Sequence, residues 1–523
     1  MASPGARLQA LRPVGSHGVR SPRCVRWTRI DRIPRARPGP EGDEVEPTRQ
    51  KEDLILEPDA KVLFVACLTG LWTGSGVVGL NKAIHLVEDS VAHVDWHGVF
   101  VPEALAVPVL GGATVSLAKV AVGKEGGGRL KPIVDSVLAA VTLGTGFSLG
   151  PEGPSVDIGK SLAKSFRRAV PGGCYTALLA AGSAAGISAG FNAPISGVFF
   201  ALETVLERES MGDAAATRGE PPPKEALDLA VVTLASVLAA IVSQIGLGSE
   251  PAMTIPEYRL GSYLDFPLYL VLGFLSGGVS QTFTKSVAIG TDWVDGLLAA
   301  RGVGREVLPV LGGVAVGAIA MVSPEVTYQG FQNFNRILLQ GGDFTIPALG
   351  LICVSKILAT SISRASGLTG GLYAPTLFLG AVTGSLYGKL LDNLLAGTQL
   401  ESLVAGQESF ALVGMASTLA AVCRVPLTST LLLFELTRDY GIVLPTLGGV
   451  ALSFLFVSSS EKLEKPQQTL FPTAGAAAEA RESAKEAAAV RAAYDEGYRD
   501  CSLGKGNKYT VNAGGGSSSM GED

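Results

Sequence analysis

The sequence predicts an all-α polytopic membrane protein whose helices include several that stop part-way through the bilayer. The chain of 523 residues is 47% hydrophobic and only 17% charged, and it contains 66 glycines. Long uncharged stretches recur along it, and almost every one of them contains glycine or proline. A soluble chain of this length would form roughly three domains and would normally carry more charge. We therefore expect a membrane domain rather than a set of soluble domains.

Six uncharged stretches approach or exceed the length of a membrane span, which is about 20 residues. They occupy residues 62–81, 169–202, 229–249, 266–284, 365–388 and 441–460, and two shorter ones lie at 136–151 and 409–423. Interrupted apolar segments are expected where a helix ends inside the membrane and its free backbone groups face a protected cavity. Close helix packing is the alternative explanation of an isolated glycine, but it does not account for whole clusters of glycine and proline.

Charge and composition divide the chain into three parts. Residues 1–58 are expected to be disordered, and the first 40 of them hold nine arginines and a single acid, Asp31. Such a segment is typical either of an organelle transit peptide or of a cytosolic tail. Residues 59–460 form the expected membrane domain, with halves at about 59–208 and 224–460 around a polar loop at 209–227. Residues 461–523 form a short soluble tail, and its Gly/Ser-rich end should be disordered.

The two halves repeat one pattern. GSAAGISAGFNAPISGVFFALE begins at Gly182, and GMASTLAAVCRVPLTSTLLLFE begins at Gly414. Laid together without gaps, they pair Gly182 with Gly414, Pro194 with Pro426 and Glu203 with Glu435. A breaker cluster precedes each segment, GPEGP at 150–154 and GLYAP at 371–375. This order is typical of a transporter built from two related halves, with its site where the broken helices meet.

The two breaker clusters predict a site for a small anion. A helix that begins inside the membrane directs its free N–H groups and the positive end of its dipole inward, and this binds an anion without Lys or Arg. Proline suits the first turn of such a helix, and glycine lets the backbone approach the ion. Glu152 lies within the first cluster. When ionised its carboxylate can take the place of the anion, and when protonated or displaced it can leave, so it is a candidate gate. A glutamate at the aqueous rim is the alternative.

Other sites are less well supported by the residues. GTGFSLG at 144–150 and GKS at 159–161 are near-misses of a dinucleotide-binding loop and of a phosphate-binding loop, since the latter would need glycine at position 154, which is Pro154. The six cysteines form no CxxC pair, and His93 and His97 lack an acidic zinc-type partner motif. We therefore expect no metal site, no cofactor and no enzymatic activity.

The stretch GPEGPSVDIG resembles the GxEGP motif of the CLC chloride channels and proton/chloride exchangers, and GGLYAP resembles their GxFxP motif. FNAPISGVFFALE and FELTRDYGIVLP also match that family, and the resemblance covers about 60–460. The stretch VTLGTGFSLGPEGPSVDIGKS is most similar to the plant and algal organellar branch. The resemblance implies a homodimer in a lipid bilayer, with one pore and two inverted halves in each subunit. It implies small anions as ligands and no nucleic acid.

Residue roles follow from the same resemblance. It implies that Glu152 is the gating glutamate, that Leu372 and Tyr373 offer backbone N–H groups to the anion, and that the Tyr440 hydroxyl completes the central site. It also implies that glycines and prolines shape the two helix starts: Gly150, Gly153 and Pro154 in the first half, and Gly370, Gly371 and Pro375 in the second.

Two departures from the family pattern bear on mechanism. The family's GSGIP motif, whose serine contributes to the central site, is missing, and the corresponding region reads GKEGGGRLKP at 123–132. Another group replaces the serine, or the inner vestibule is more open, or the sequence is incomplete there. The internal proton-accepting acid of the exchangers is replaced by Thr204. We therefore expect a voltage- or pH-gated chloride channel of weak selectivity, with a proton-coupled chloride or nitrate exchanger as the alternative. The expected location is a chloroplast membrane, or else the Golgi or another endomembrane.

Overall fold

The computed structural model describes residues 56–93, 102–122, 131–170, 174–206, 225–248, 265–301, 304–328, 337, 344–398 and 404–463. Within these ranges the chain is almost entirely helical, and the β-type pairing found there is one isolated bridge. The predicted all-α polytopic fold is confirmed. The predictions for the N-terminal segment, for the 209–227 loop and for the C-terminal tail fall wholly or mostly outside the described residues.

The described residues form fourteen α-helices. Those of the first half are α1 (Leu56–Ala92), α2 (Glu103–Val122), α3 (Lys131–Gly144), α4 (Glu152–Ser165), α5 (Tyr175–Phe191), α6 (Pro194–Ala201, continued by a π-turn Leu202–Leu206) and α7 (Glu225–Leu247). Those of the second half are α8 (Phe266–Arg301), α9 (Leu308–Val322), α10 (Ile346–Ala365), α11 (Tyr373–Leu395), α12 (Gln407–Cys423), α13 (Pro426–Thr437) and α14 (Val443–Leu463). Three-residue 3₁₀ segments join several of them, among them Tyr440–Ile442 between α13 and α14.

Ten of these helices are apolar enough to be compared with the thickness of a membrane, and they fall into two length classes. Seven helices among the described residues are long and apolar enough to cross a membrane, from Ala60–Ala92 to Tyr440–Ser460. Three apolar helices are shorter, Tyr175–Phe191, Pro194–Val205 and Gln407–Cys423. At 1.5 Å per residue a 17-residue helix covers about 26 Å, less than the roughly 30 Å hydrocarbon core of a bilayer. Short apolar helices buried among longer ones are the arrangement that the interrupted sequence stretches predict.

The repeat found in the sequence is also a repeat of structure. Helices α5 and α12 each have 17 residues, and each ends at a residue with a left-handed backbone, Asn192 (φ 56°) and Arg424 (φ 63°). In both halves the next helix begins with a proline two residues later, Pro194 in α6 and Pro426 in α13. Proline is well suited to the first turn of a helix because its missing N–H would have no partner there.

Glycines set the packing distance at equivalent contacts of the two halves. A Cβ atom on Gly159 of α4 would lie 1.9 Å from the carbonyl oxygen of Gly182 in α5. A Cβ atom on Gly380 of α11 would lie 2.4 Å from the carbonyl oxygen of Gly414 in α12. Neither distance is compatible with a side chain, so both helix pairs depend on glycine for backbone contact. The pairing of Gly182 with Gly414 in the sequence therefore has a structural cause.

Glu435, which ends the repeat segment of the second half, caps a helix of the first half. The Glu435 carboxylate accepts hydrogen bonds from the backbone N–H groups of Ile195 (2.8 Å) and Ser196 (2.7 Å). It also accepts one from the Ser196 hydroxyl. These N–H groups belong to the first turn of α6 and have no acceptor within their own helix. The negative charge also lies at the positive end of the helix dipole, where it is stabilising.

Glu203 makes the same contacts in the opposite direction. Its carboxylate accepts hydrogen bonds from the backbone N–H groups of Leu427 (2.7 Å) and Thr428 (3.0 Å) and from the Thr428 hydroxyl (2.6 Å). Each half of the protein therefore supplies the cap for the broken helix of the other half. The sequence pairs Glu203 with Glu435, but it does not reveal that each carboxylate binds the opposite helix.

We expect E435A to destabilise the protein by about 1 to 3 kcal/mol, because two N–H groups and a hydroxyl lose their acceptor. E435Q should cost less, because the amide keeps one acceptor oxygen. The free energy of unfolding of the purified protein in detergent is the measurement. E88A is the control, because the Glu88 carboxylate contacts the exposed His85 side chain at 3.4 Å and such surface pairs contribute about 0 to 1 kcal/mol. If E435A is as stable as the parent, the reciprocal caps do not hold the halves together.

Candidate functional site

The two breaker clusters meet through their backbones. The N–H of Gly150 donates to the carbonyl of Gly371 (2.9 Å), and the N–H of Gly371 donates to the carbonyl of Gly150 (2.6 Å). Directly after this bridge α4 begins at Glu152 and α11 begins at Tyr373, and neither helix start has a side-chain cap. The structure thus brings together the two clusters that the sequence selects, with two helix N-termini side by side.

Close backbone contact explains why these positions are glycines. A Cβ atom on Gly371 would lie 2.6 Å from the backbone nitrogen of Gly153, and one on Gly150 would lie 2.1 Å from a carboxylate oxygen of Glu152. A Cβ atom on Gly370 would lie 2.5 Å from Cβ of Leu149. Any side chain here would force the two helix starts apart or displace the Glu152 carboxylate.

A side-chain contact fixes the loop that leads into α4. The hydroxyls of Ser148 and Thr360 are 2.9 Å apart, and both residues are buried. Ser148 lies four residues before Glu152, and Thr360 lies in the middle of α10. The contact therefore connects the loop around Glu152 to a long helix of the second half, which makes a defined position for the carboxylate possible.

Glu152 places a buried carboxylate at both helix N-termini. Its side chain is only 2% exposed, and neither carboxylate oxygen makes a hydrogen bond. The backbone N–H groups of Glu152 itself and of Ala374 lie nearby without reaching hydrogen-bonding geometry. Ala374 is the second residue of α11. A carboxylate without a direct partner, close to unpaired N–H groups, occupies the kind of position in which a small anion would be stabilised.

A cavity of about 160 Å³ opens next to this carboxylate. Its lining combines residues from both clusters with side chains of α5, α6, α10 and α12. The lining residues are Glu152, Gly153, Pro154, Val156, Asp157, Lys160, Ile187, Phe200, Thr204, Arg364, Thr369, Gly370, Gly371, Leu372, Tyr373 and Cys423. Every predicted site residue except Gly150, Pro375 and Tyr440 is among them, and Gly150 is hydrogen-bonded to the lining residue Gly371.

Tyr373 contributes a hydroxyl that the sequence analysis does not assign. Its ring packs edge-on against Phe200 (centroid distance 5.9 Å) and at a tilt against Phe191 (6.5 Å). Its hydroxyl is buried and has no hydrogen-bond partner. An unpartnered buried hydroxyl is costly unless a ligand or a water satisfies it. The available signal was the tyrosine in GGLYAP, at a position where the family motif has phenylalanine.

The structure does not bring Tyr440 to this cavity, and its role in the anion site stays a prediction. Its side chain is 80% exposed, and its ring packs edge-on against Phe434 at a centroid distance of 5.4 Å. It does not line the cavity that contains Glu152. The cause is local: α13 ends at Thr437, and Arg438 takes a left-handed backbone (φ 55°), so the chain turns before it reaches Tyr440.

Thr204, which replaces the internal acid of the exchangers in the sequence, lies beside the candidate site. It lines the cavity in the π-turn that follows α6, and its hydroxyl donates to the carbonyl of Phe200 at 2.6 Å. The same cavity therefore contains Thr204 and Glu152. Most of the other departure, the region that replaces the GSGIP motif, falls outside the described residues, since α3 begins at Lys131.

Three charged residues of the cavity were not predicted as site residues. Asp157 and Lys160 follow Gly153 on one face of α4, at helical spacing, and Arg364 lies in the last turn of α10. Asp157 interacts electrostatically with both Lys160 and Arg364. The spacing of Asp157 and Lys160 was readable in the sequence, but the approach of Arg364 depends on the fold.

Comparison with known proteins places the chain in a family. Residues 119–458 match the model of the voltage gated chloride channel family. The chain is 41% identical to "Chloride channel protein CLC-e" of Arabidopsis thaliana over 83% of its length, and 38% identical to "Chloride channel protein CLC-f" of the same plant over 76%. It spans 64% and 54% of the lengths of these two relatives.

The fold has counterparts among solved structures. A slow cyanobacterial Cl⁻/H⁺ antiporter matches with a TM-score of 0.63 at 21% identity, over 76% of this chain and 95% of that one. A eukaryotic CLC transporter matches with a TM-score of 0.59 at 20% identity, over 79% of this chain and 73% of that one. At this identity the structures establish a common fold, and the sequence match establishes kinship: the chain belongs to the voltage-gated chloride channel (CLC) family.

Proposed function

We propose that this protein conducts small inorganic anions, chloride among them, across a membrane, and that the N-termini of α4 and α11 form the binding site on the path. The observation that carries the proposal is the buried Glu152 carboxylate, which lies at both helix starts without a hydrogen-bond partner. Polarised backbone groups bind an anion weakly enough for it to leave again, as conduction requires. No cofactor is needed for such a process.

Glu152 is the gate in this proposal. While ionised, its carboxylate competes with the permeating anion for the same N–H groups, so the path is closed. Protonation removes the charge, and an arriving anion can also displace the side chain. Either event frees the helix starts for the anion. The cavity beside the carboxylate supplies the space into which an anion can enter.

E152Q tests the gate directly. The amide has nearly the shape of a protonated carboxyl group and cannot ionise, so anion flux should persist and lose most of its pH dependence. The measurement is chloride efflux from liposomes at several pH values, with parent protein and E435Q as references, since Glu435 is a helix-capping carboxylate that does not itself line the cavity. A folded E152Q protein that transports no anion would show that the carboxylate is required for transport and is not a competing gate.

Passive conduction is our first proposal, and proton-coupled exchange is the second. Thr204 supports the first, because a hydroxyl cannot carry a proton by ionising at neutral pH. The second has support in the cavity that both Thr204 and Glu152 line, since water there could deliver protons to the carboxylate. The fold itself is compatible with either mode.

A chloride gradient across liposomes separates the two modes. In a channel, an imposed chloride gradient should move no protons uphill, and E152Q should leave this result unchanged. The measurement is the internal pH of the liposomes after a chloride gradient is applied with the membrane potential clamped by potassium and valinomycin. Uphill proton movement that needs this protein, and that E152Q abolishes, would establish exchange.

The hydroxyl of Tyr373 should contribute to anion binding. Y373F removes a single donor from the cavity and should weaken chloride binding by about tenfold, which corresponds to about 1.4 kcal/mol and lies at the lower end for a hydrogen bond to a charged group. Titration calorimetry on purified protein is the measurement. Y440F is the matched control, because Tyr440 is 80% exposed and lies outside the cavity. A loss of affinity in Y440F but not in Y373F would place the anion at the Tyr440 hydroxyl instead.

Assembly and location are part of the proposal. We propose a homodimer with one path per subunit, on the strength of family membership. The exposed apolar side chains of the broken helices, such as Ile195 (46% exposed) and Leu427 (49% exposed), offer a surface suited to a partner or to lipid. We also propose a chloroplast membrane, with the Golgi or another endomembrane as the alternative, on the basis of the arginine-rich start and the kinship with the plant CLC-e and CLC-f proteins.

A further inference from the structure

The cavity next to Glu152 contains a second group of charges. Lys160 extends from the third turn of α4, and Arg364 from the last turn of α10. Both line the cavity, and both are partly exposed within the structure. Asp157 interacts electrostatically with both, and also with Asp135 and Lys164, which do not line the cavity. Arg364 is far from Lys160 in sequence, and only the packing of the two halves brings the two cations to the same cavity.

The formal charge of the cavity depends on Glu152. With Glu152 and Asp157 ionised, two negative charges face the two positive charges of Lys160 and Arg364 among the lining residues. When Glu152 is protonated or turned away, one positive charge is left in excess. The cavity is therefore neutral with the gate carboxylate present and attracts an anion once that carboxylate is neutralised.

Asp157 determines how strongly the cations act. Two cations in a partly dehydrated cavity would hold an anion tightly, because electrostatic interactions strengthen at low dielectric constant. Tight binding would oppose conduction, which needs sites that are weak and more than one in number. Asp157 offsets one of the two positive charges, so the attraction that remains is that of a single unit charge shared between Lys160 and Arg364.

The position of the pair relative to α4 supports a stepwise path. Gly153, Asp157 and Lys160 lie on one face of α4, so this face runs along the cavity from the helix start to its third turn. An anion at the helix start would be bound by backbone N–H groups, and one further along this face would meet the cations. Each position is open to the cavity, and the two differ in the chemistry of their donors.

We propose that Lys160 and Arg364 form a second anion site in this cavity, from which a small monovalent inorganic anion passes to or from the helix starts at Glu152. The site rests on the proposed function, and it adds side-chain cations to a path otherwise made of backbone N–H groups and the Tyr373 hydroxyl. It would supply anion coordination in a chain that lacks the GSGIP serine of its family. The binding is selective for charge and size rather than for one ion, because ammonium and guanidinium N–H groups donate to a halide and to nitrate oxygens alike.

The test compares charge-removing variants in a background where the gate is neutral. In E152Q protein, the additional change R364Q or K160Q should weaken chloride binding by about tenfold, measured by titration calorimetry in detergent. R364K keeps the charge and should stay within about threefold of E152Q alone. K82Q is the control, because Lys82 is an exposed lysine of α1 that does not line the cavity; it should leave the affinity unchanged.

Flux measurements distinguish a failure of the second anion site from a failure of the proposed function. In liposomes, R364Q and K160Q in the parent protein should raise the chloride concentration for half-maximal flux several-fold, while K82Q should not. The inference is overturned if both variants fold, transport anions and show the affinity and half-saturation of their parents. If the parent protein itself transports no anion, the proposed function fails instead, and chloride binding that still depends on Arg364 would then mark a binding site without conduction. Loss of folding in R364Q is recognised by gel filtration, and K160Q then decides the question, because it also removes a positive charge from the cavity.

Discussion

The backbone bridge between Gly150 and Gly371 is the constraint on which the rest of the site depends. Two hydrogen bonds, of 2.9 and 2.6 Å, hold the ends of two loops together immediately before α4 and α11 begin. Because both helices start at this bridge, their unpaired N–H groups and the positive ends of their dipoles converge on one small region. A site built in this way attracts an anion without a cation in direct contact. The glycines at these positions follow from the same constraint, since a side chain at Gly371 would collide with the backbone of Gly153.

The internal symmetry of the chain explains how such a bridge is kept in place. The repeat segment of each half ends in a glutamate, Glu203 or Glu435. Each glutamate caps the broken helix of the other half. Glycine contacts at Gly159 and Gly380 bring equivalent helices together on the two sides. A broken helix inside a membrane leaves polar backbone groups that must be satisfied within the protein. Here the two halves satisfy them reciprocally at the capped helices, and leave those at α4 and α11 available for a ligand.

Much of this arrangement could be predicted from the sequence, because it depends on glycine, proline and glutamate, which favour particular positions at helix starts. Glycine, proline and a lone glutamate in GPEGP indicate a helix start with a carboxylate, and the second copy in GGLYAP indicates its partner. The aligned pairs Pro194 with Pro426 and Glu203 with Glu435 likewise correspond to equivalent places in the structure.

What the sequence did not reveal depends on where the chain turns and what it meets. Tyr440 is assigned to the anion site by resemblance alone, and it lies outside the cavity that contains Glu152. Arg364 approaches Asp157 only through tertiary packing. The Tyr373 hydroxyl lines a cavity that no local sequence pattern indicates.

The central claim is that an anion binds at the N-termini of α4 and α11. It is tested most directly by anomalous diffraction from crystals of E152Q grown in bromide. The account predicts a bromide peak in contact with the backbone N–H groups of Gly153 and of the first residues of α11. Bromide found at other sites, with none at these helix starts, would contradict it.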